Sequence, residues 1–263
     1  TGRAEGVTMA YGRGWPAITS LSADVELDGM RLSTERNRGL SGNVPFQNAR
    51  VSFEDLRTAV LDINTSGDAA LETLYIFVGE SPNRRLFGEQ YARMSFSGGS
   101  EYTITMQVPL RDVRSFTIDA EIDVNDATFA LDYIPHAVTE MAGQVRIDRQ
   151  GVYAENATGV LLGQPLRIDM APEGTPDDGQ LVIRGEGRLD AAALVGPLGL
   201  PLEGRVEGGT PFEAIVNLPR RRQPLNAADP VPDTPRRPVT VVATSDLSGL
   251  AIALPYPVGN AAD

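Results

Sequence analysis

Hydrophobic and polar residues alternate with a period of two along most of the chain. The clearest stretch runs from Phe116 to Val124, and a second one runs from Ala127 to Tyr133. A period of two places successive side chains on opposite faces of a β-strand. The pattern therefore predicts a mainly β protein, built as a long antiparallel meander in which each hairpin has one apolar face.

Asn125-Asp126 separates these two stretches, and both residues tolerate the positive φ of a two-residue hairpin turn. We predict a hairpin here, in which Ile122 faces Phe129 on a wholly apolar face. The other face is predicted to be acidic and wet, and its members are Asp119, Glu121, Asp123, Thr128 and Asp132.

An earlier hairpin is predicted around Asp28-Gly29, a dipeptide typical of type I′ turns. With this turn Val25 pairs with Leu32, and Leu27 pairs with Met30. The apolar side chains again share one face of the predicted hairpin.

Looser hairpins follow in the second half of the chain. Val145 and Ile147 are predicted to pair with Ala154 and Val152 across a four-residue turn. Further alternating strands are predicted at 166–170, 181–183, 212–218 and 239–243.

Three segments depart from the alternation. Apolar residues at i, i+3, i+4 and i+7 predict a helix over 71–78, which Gly79 and Pro82 are expected to end. A second, shorter helix is predicted over 190–195, beginning at an aspartate N-cap. Residues 219–238 are rich in proline and arginine, and we predict an exposed loop there.

Composition fits a folded protein with an acidic surface. The chain has 263 residues, of which 41% are hydrophobic and 22% are charged, so it can bury a substantial core. Its net charge is −12. This charge repels phosphate backbones, so we predict no nucleic-acid partner, and it disfavours binding to anionic lipid surfaces by charge alone.

The chain lacks both cysteine and lysine, and its 23 basic residues are all arginine. Their absence excludes disulfides, zinc–sulfur sites, thiolate nucleophiles and lysine-based catalysis. The sequence begins at Thr1, without a signal peptide and without an apolar run of about 18 residues. We therefore expect a section of a longer protein.

Motifs for catalysis or for cofactor binding are missing. His136 is the only histidine, and no G-x-S-x-G motif accompanies it, so we expect a surface loop residue rather than a member of a catalytic triad. A zinc site usually needs three or four nitrogen or sulfur ligands. We predict no enzyme, no metal and no cofactor.

Carboxylates are plentiful, and two alternative interpretations of them stay open. Asp119, Asp123 and Asp132 could flank a glycosidic bond in a carbohydrate-active enzyme, but they also fall on the predicted wet face. Asp123, Asn125 and Asp126 could bind Ca²⁺, but the EF-hand spacing and its terminal glutamate are missing. We favour a solvated face and turn chemistry.

Arginine clusters at 220–222 and 236–237 lie in the predicted loop. Phosphate binding, including binding of lipid head groups, is conceivable there. A solvated loop is the favoured interpretation.

The apolar face itself allows two interpretations. It is either the filled core of an ordinary β-sandwich or a groove that protein side chains leave partly unfilled and that holds acyl chains. The residue pattern favours the sandwich, and composition does not separate the two.

The segment 244–262 joins a strand-like run, a glycine turn and a Leu-Pro-x-Pro exit. It resembles the S-D-L-x-G-L-x-I-x-L-P-x-P-L-G-K segment of the YhdP family, the AsmA-like envelope proteins of Gram-negative bacteria, although Asn260 stands where that family tends to have lysine. Further segments resemble the family in the same order: 71–82, 108–112, 161–168, 200–202 and 209–212.

This resemblance implies both a fold and a task. AsmA-like proteins build long, strongly curved β-sheets, taco-shaped in section, with an apolar inner trough. The parent protein would be anchored in the inner membrane, cross the periplasm and let phospholipid slide to the outer membrane. Residues 1–263 would form a single groove section of that bridge, located in the periplasm.

The predicted partners are therefore phospholipid acyl chains, together with the inner and outer membranes through the rest of the parent chain. The alternative is a structural or assembly module of the envelope with a filled core and no ligand. The residues predicted to line the trough are Val25, Leu27, Leu32, Ile118, Ile122, Phe129, Leu131, Val145 and Ile147.

Overall fold

The computed structural model describes residues 1–10, 14–55, 57, 59–81, 84, 92–109, 111–112, 115–175, 179–190, 205–219 and 238–253. The helix and the strands have the following bounds: β1 (Gly2–Met9), β2 (Ile18–Asp28), β3 (Arg31–Ser41), β4 (Val44–Phe53), β5 (Val60–Ala70), α1 (Leu71–Glu80), β6 (Met94–Pro109), β7 (Thr117–Leu131), β8 (Val138–Asp148), β9 (Val152–Leu161), β10 (Gln164–Gly174), β11 (Gly179–Asp190), β12 (Val206–Pro219), β13 (Thr240–Thr244) and β14 (Leu250–Ile252).

These strands form one 14-stranded antiparallel sheet in which each strand pairs with the next along the chain, from β1 to β13. The short strand β14 pairs with β12, off this path. The prediction of a mainly β, antiparallel meander with a short helix is confirmed. The sheet is open and uncurled, with β1 and β13 at its two ends, so any trough in it has an open side.

β-Bulges interrupt several strands near their middle. Ser20, Arg36, Asn48, Asp126 and Asn156 have φ between 52° and 54°, and the pairing register shifts at each of them. One extra residue in a regular strand would turn every later side chain to the other face. A bulge absorbs this extra residue, so the later side chains keep their side of the sheet. The bulges therefore accompany changes in the phase of the hydrophobic pattern and keep the apolar side chains on one face.

The predicted hairpin at Asn125-Asp126 is wrong. β7 runs through this dipeptide, and Asp126 is the bulge residue. Ile122 pairs with Tyr102 on one side and with Val145 on the other, and it does not face Phe129 across a turn. The alternation of apolar and polar residues does change phase between Val124 and Ala127. The change occurs inside one continuous strand, because the bulge at Asp126 adds one residue there.

The predicted register of the first hairpin is also wrong. Asp28 pairs with Arg31, so the turn is Gly29-Met30, and Leu27 pairs with Leu32. Gly29 has a φ of 59° at the first central position, where a type II′ turn prefers glycine. The predicted register is off by two residues, so Val25, Leu27 and Leu32 keep their predicted face, whereas Met30 lies in the turn.

Most later elements agree with the prediction. Val145 pairs with Ala154, and Ile147 pairs with Val152. The predicted first helix corresponds to α1, which continues through Gly79 and ends at Glu80. The strands predicted at 166–170, 181–183, 212–218 and 239–243 fall in β10 to β13.

Some predicted features lie outside the described residues. These are Pro82, most of the second helix (191–195), the arginine clusters and the loop over 220–237, and the end of the last segment from 254 onward.

Tyr102 connects three strands on the apolar face. Its ring crosses Gly67 of β5, and its hydroxyl donates a hydrogen bond to the carbonyl oxygen of Pro45 in β4. A Cβ on Gly67 would lie 2.9 Å from this hydroxyl and 2.7 Å from the Pro45 oxygen, so glycine is needed here. Burial raises the pKa of Tyr102 to about 12.

We expect Tyr102→Phe to lower the free energy of unfolding by about 1–2 kcal/mol, because the carbonyl oxygen of the half-buried Pro45 loses its donor. Urea unfolding measures this loss of stability.

Because the pKa of Tyr102 in the folded protein lies above the ordinary value of about 10, the neutral phenol is the form that the fold favours. Its contribution is complete below pH 10 and is lost as the pH rises through about 12. In an absorbance titration of the folded proteins, a difference between wild type and variant that appears near pH 10 instead of near pH 12 would contradict this account.

Candidate apolar groove

The nine residues predicted to line a trough share one face of the sheet. Residues that pair directly across antiparallel strands point to the same side, and the register therefore links the N-terminal strands to the central ones. Leu27 pairs with Leu32, and Leu32 pairs with Phe53. Val51 lies two residues before Phe53 on the same strand, so its side chain points to the same side. The row continues from Val51 through Ile63 and Met106 to Ile118.

An apolar cavity of about 210 Å³ lies on this face and is partly open to solvent. It is larger than the roughly 150 Å³ apolar cavity that stays dry and binds benzene. It is smaller than the roughly 300–1,000 Å³ of typical small-ligand sites, so it has room for part of an acyl chain. Its walls come from α1 and from seven consecutive strands, β6 to β12.

Four of the nine predicted residues line this cavity: Ile122, Phe129, Leu131 and Val145. The structure does not bring the other five to it. Ile118 belongs to a separate buried cluster with Phe116 and Ala120, and Ile147 packs both against that cluster and against the core that borders the cavity. There the apolar face is filled by protein.

Val25, Leu27 and Leu32 lie on β2 and β3, away from the cavity. Leu27 is 60% exposed, whereas Val25 and Leu32 are half-buried. Their assignment to a lipid trough stays a prediction.

Sequence reasoning missed several lining residues. The apolar stripe of α1, which is Leu71, Leu74, Tyr75 and Val78, faces the cavity, and no residue of α1 is fully buried. The helical spacing identified this stripe, but not what it faces. The alternating pattern of β10 to β12 likewise predicted an apolar face. It did not indicate that the side chains of this face form part of the cavity walls.

Aromatic rings form one wall. The rings of Tyr75 and Phe96 are 5.3 Å apart between centroids, and those of Phe96 and Phe129 are 5.0 Å apart and stacked. Such ring pairs contribute about 0.5–1.5 kcal/mol beyond the area that they bury. They hold α1 against β6 and β7 at this wall of the cavity.

Small residues form part of the cavity lining, among them Ala127, Gly143, Ala157, Gly185 and Ala214. Gly143 has a φ of 149°, and a Cβ there would lie 2.9 Å from the Cβ of Ala157. Close packing of β8 on β9 therefore requires glycine at this position.

We expect Gly143→Ala to lower the free energy of unfolding by about 1–3 kcal/mol, because the new methyl group meets the Ala157 backbone and the residue must keep a positive φ. Chemical denaturation measures this. The control is Gly99→Ala, since a Cβ at Gly99 meets nothing within 4 Å. An equal loss in both variants would exclude this packing as the cause.

The opposite face of the sheet is charged and exposed. Asp119, Glu121 and Asp123 lie there, and their paired residues on β8 are Asp148, Arg146 and Gln144. These carboxylates do not line the cavity. Among the described residues, no three histidine, aspartate or glutamate side chains are grouped so as to hold a metal ion.

His136 lies in the connection between β7 and β8, as predicted for a loop residue. Within the part of the chain that the structure describes, no helix has the length and apolar character needed to span a membrane.

Comparison with known proteins identifies one family. The YhdP protein family matches the chain over residues 1–263. No curated protein and no solved structure matches it significantly. The resemblance inferred from the motifs is thus confirmed, and the chain belongs to the YhdP family of bacterial envelope proteins.

Proposed function

We propose that this member of the YhdP family is a non-catalytic section of a bridge-like lipid-transfer protein. Phospholipid would move along its apolar face, across the periplasm, from the inner to the outer membrane. The parent protein would contact both membranes through its other parts. One observation supports this proposal above all: the cavity is partly open and is lined almost entirely by apolar side chains.

The chemistry of such a cavity suits an acyl chain. Each CH₂ group that leaves water gains about 0.8 kcal/mol, without any directional contact. Among the described lining residues, Tyr75 and Thr128 are the two with polar side chains, and the Thr128 side chain points to the opposite face because its neighbours Ala127 and Phe129 point to the apolar one. A lining of this kind binds acyl chains by area alone, so a chain can slide without breaking specific hydrogen bonds. Movement of lipid breaks no covalent bond and needs no acid, base or nucleophile.

Native mass spectrometry of the purified chain in mild detergent, followed by lipid extraction, tests this function. We expect phospholipid to accompany the folded protein and to exchange with added phospholipid. A folded protein that neither carries nor takes up lipid would contradict the proposal.

A structural module of the envelope is the second candidate. The cluster of Phe116, Ile118 and Ala120 favours it locally, because these side chains are buried by other protein side chains and do not line the cavity. Under this alternative the cavity is a packing defect, and the lipid experiment gives a lipid-free, fully folded protein.

A further inference from the structure

Arg93 and Asp132 lie at the edge of the cavity. Arg93 precedes Met94 and Asp132 follows Leu131, and both Met94 and Leu131 line the cavity. The backbone N–H of Asp132 donates to the carbonyl oxygen of Arg93 at 3.0 Å, which holds the two positions together. Arg93 and Asp132 therefore adjoin the apolar lining where β6 begins and β7 ends.

The Arg93 guanidinium is only loosely engaged by its neighbours. Its Nη1 lies 3.5 Å from Oδ2 of Asp132, and its Cζ lies 5.8 Å from the ring centroid of Tyr133. The side chains of Arg93 and Asp132 are 56% and 60% exposed. Exposed ion pairs of this kind contribute little to stability, so Arg93 can turn to another anion at small cost.

Tyr75 brings a hydroxyl group to the same edge. Its ring lines the cavity, and burial raises the pKa of its hydroxyl group. The charge of Arg84 opposes that rise in pKa, and the charge of Asp132 adds to it. Arg84 and Asp132 therefore both lie near the Tyr75 hydroxyl group at this edge of the cavity.

We propose that Arg93 binds the phosphate of a lipid head group while an acyl chain of the same molecule occupies the cavity. This inference rests on the proposed function. A guanidinium group forms charge-assisted hydrogen bonds with phosphate oxygens, often two at once. The site selects phospholipids over uncharged lipids with the same acyl chains.

The test compares Arg93→Gln with the wild-type chain. The probes are fluorescent phosphatidylglycerol and fluorescent diacylglycerol with identical acyl chains, which differ in the phosphate head group. We expect the affinity for phosphatidylglycerol to fall about fivefold to tenfold in the variant, since a charge-assisted contact is lost. The affinity for diacylglycerol should not change.

Arg146→Gln is the matched control. Arg146 also forms an ion pair, with its Nη2 3.3 Å from Oδ2 of Asp148, and its Cζ lies 4.6 Å from the ring centroid of Tyr153. It lies on the opposite face of the sheet, so its replacement should leave both lipid affinities unchanged. A second variant, Asp132→Asn, removes the carboxylate that competes for Arg93 and should tighten phosphatidylglycerol binding about twofold to fivefold.

Different results separate failure of this site from failure of the proposed function. Equal weakening of both lipids by Arg93→Gln, or no weakening of either, would overturn the phosphate site while the groove function stands. No binding of either lipid to the wild-type chain would overturn the groove function itself. Binding of inorganic phosphate that depends on Arg93, without binding of phosphatidylglycerol, would assign the site to free phosphate and overturn the lipid assignment.

Discussion

Replacing Ile122 with aspartate is expected to remove phospholipid from the chain while leaving the chain folded. Ile122 lines the cavity between Tyr102 and Val145, and it is half-buried. An aspartate there stays hydrated in the lipid-free protein. When an acyl chain enters, the carboxylate must lose water against hydrocarbon, which costs several kcal/mol.

The cost of the carboxylate therefore appears in binding more than in folding. We expect at least a tenfold loss of lipid affinity, which corresponds to about 1.4 kcal/mol or more. Lipid extraction after purification and titration with a fluorescent phospholipid both measure it. Binding should recover partly as the pH falls, because a neutral carboxylic acid is cheaper to bury than a carboxylate.

Asn64→Asp is the matched control for the added charge. Asn64 is exposed on the opposite face, pairs with Arg50, and accepts a hydrogen bond from the Thr105 hydroxyl at 3.0 Å. An aspartate at this position keeps that acceptor and gains an attractive neighbour. Normal lipid binding by Ile122→Asp, or an equal loss in Asn64→Asp, would count against the cavity as the lipid site.

Deleting Asp126 is expected to have the largest effect on folding. Asp126 is the extra residue of the bulge in β7, and without it the rest of the strand shifts by one position. Ala127, Phe129 and Leu131 would then point to the charged face. Ala127 and Leu131 are each only 2% exposed, and Phe129 stacks on Phe96.

Loss of these contacts should lower the free energy of unfolding by about 5 kcal/mol, because burying a large apolar side chain contributes about 1.5–3 kcal/mol. This loss is comparable to the total stability of many domains. Denaturant unfolding and near-ultraviolet circular dichroism measure it, and we expect loss of cooperative unfolding or of the folded state.

Asp126→Gly controls for loss of the side chain, because glycine accepts the positive φ and keeps the residue count. Its stability should stay within about 0.5 kcal/mol of the wild-type value. If the deletion variant were as stable as Asp126→Gly, the extra residue would not be what keeps the apolar side chains of β7 on one face.

The sequence by itself determined the class of the fold and the face on which each apolar residue lies. Ile122 and Phe129 were predicted to share a face, and they do, although the predicted turn between them does not exist. The alternation is a property of neighbours in sequence, since successive side chains of a strand always point to opposite sides. For the same reason, moving the turn at Gly29 by one residue left Leu27 and Leu32 on their predicted face.

Only the tertiary structure decided whether a change of phase marks a turn or a bulge. A residue with positive φ, such as Asp126, fits both, and the choice depends on which distant strand supplies its hydrogen-bonding partners. The same holds for the groove. Ile118 and Ile122 lie two residues apart on one face of β7, yet Ile118 lies in a filled cluster and Ile122 lines the cavity. Alternation specifies the side of a residue, but packing partners from distant strands and from α1 decide whether the space above it is filled or open.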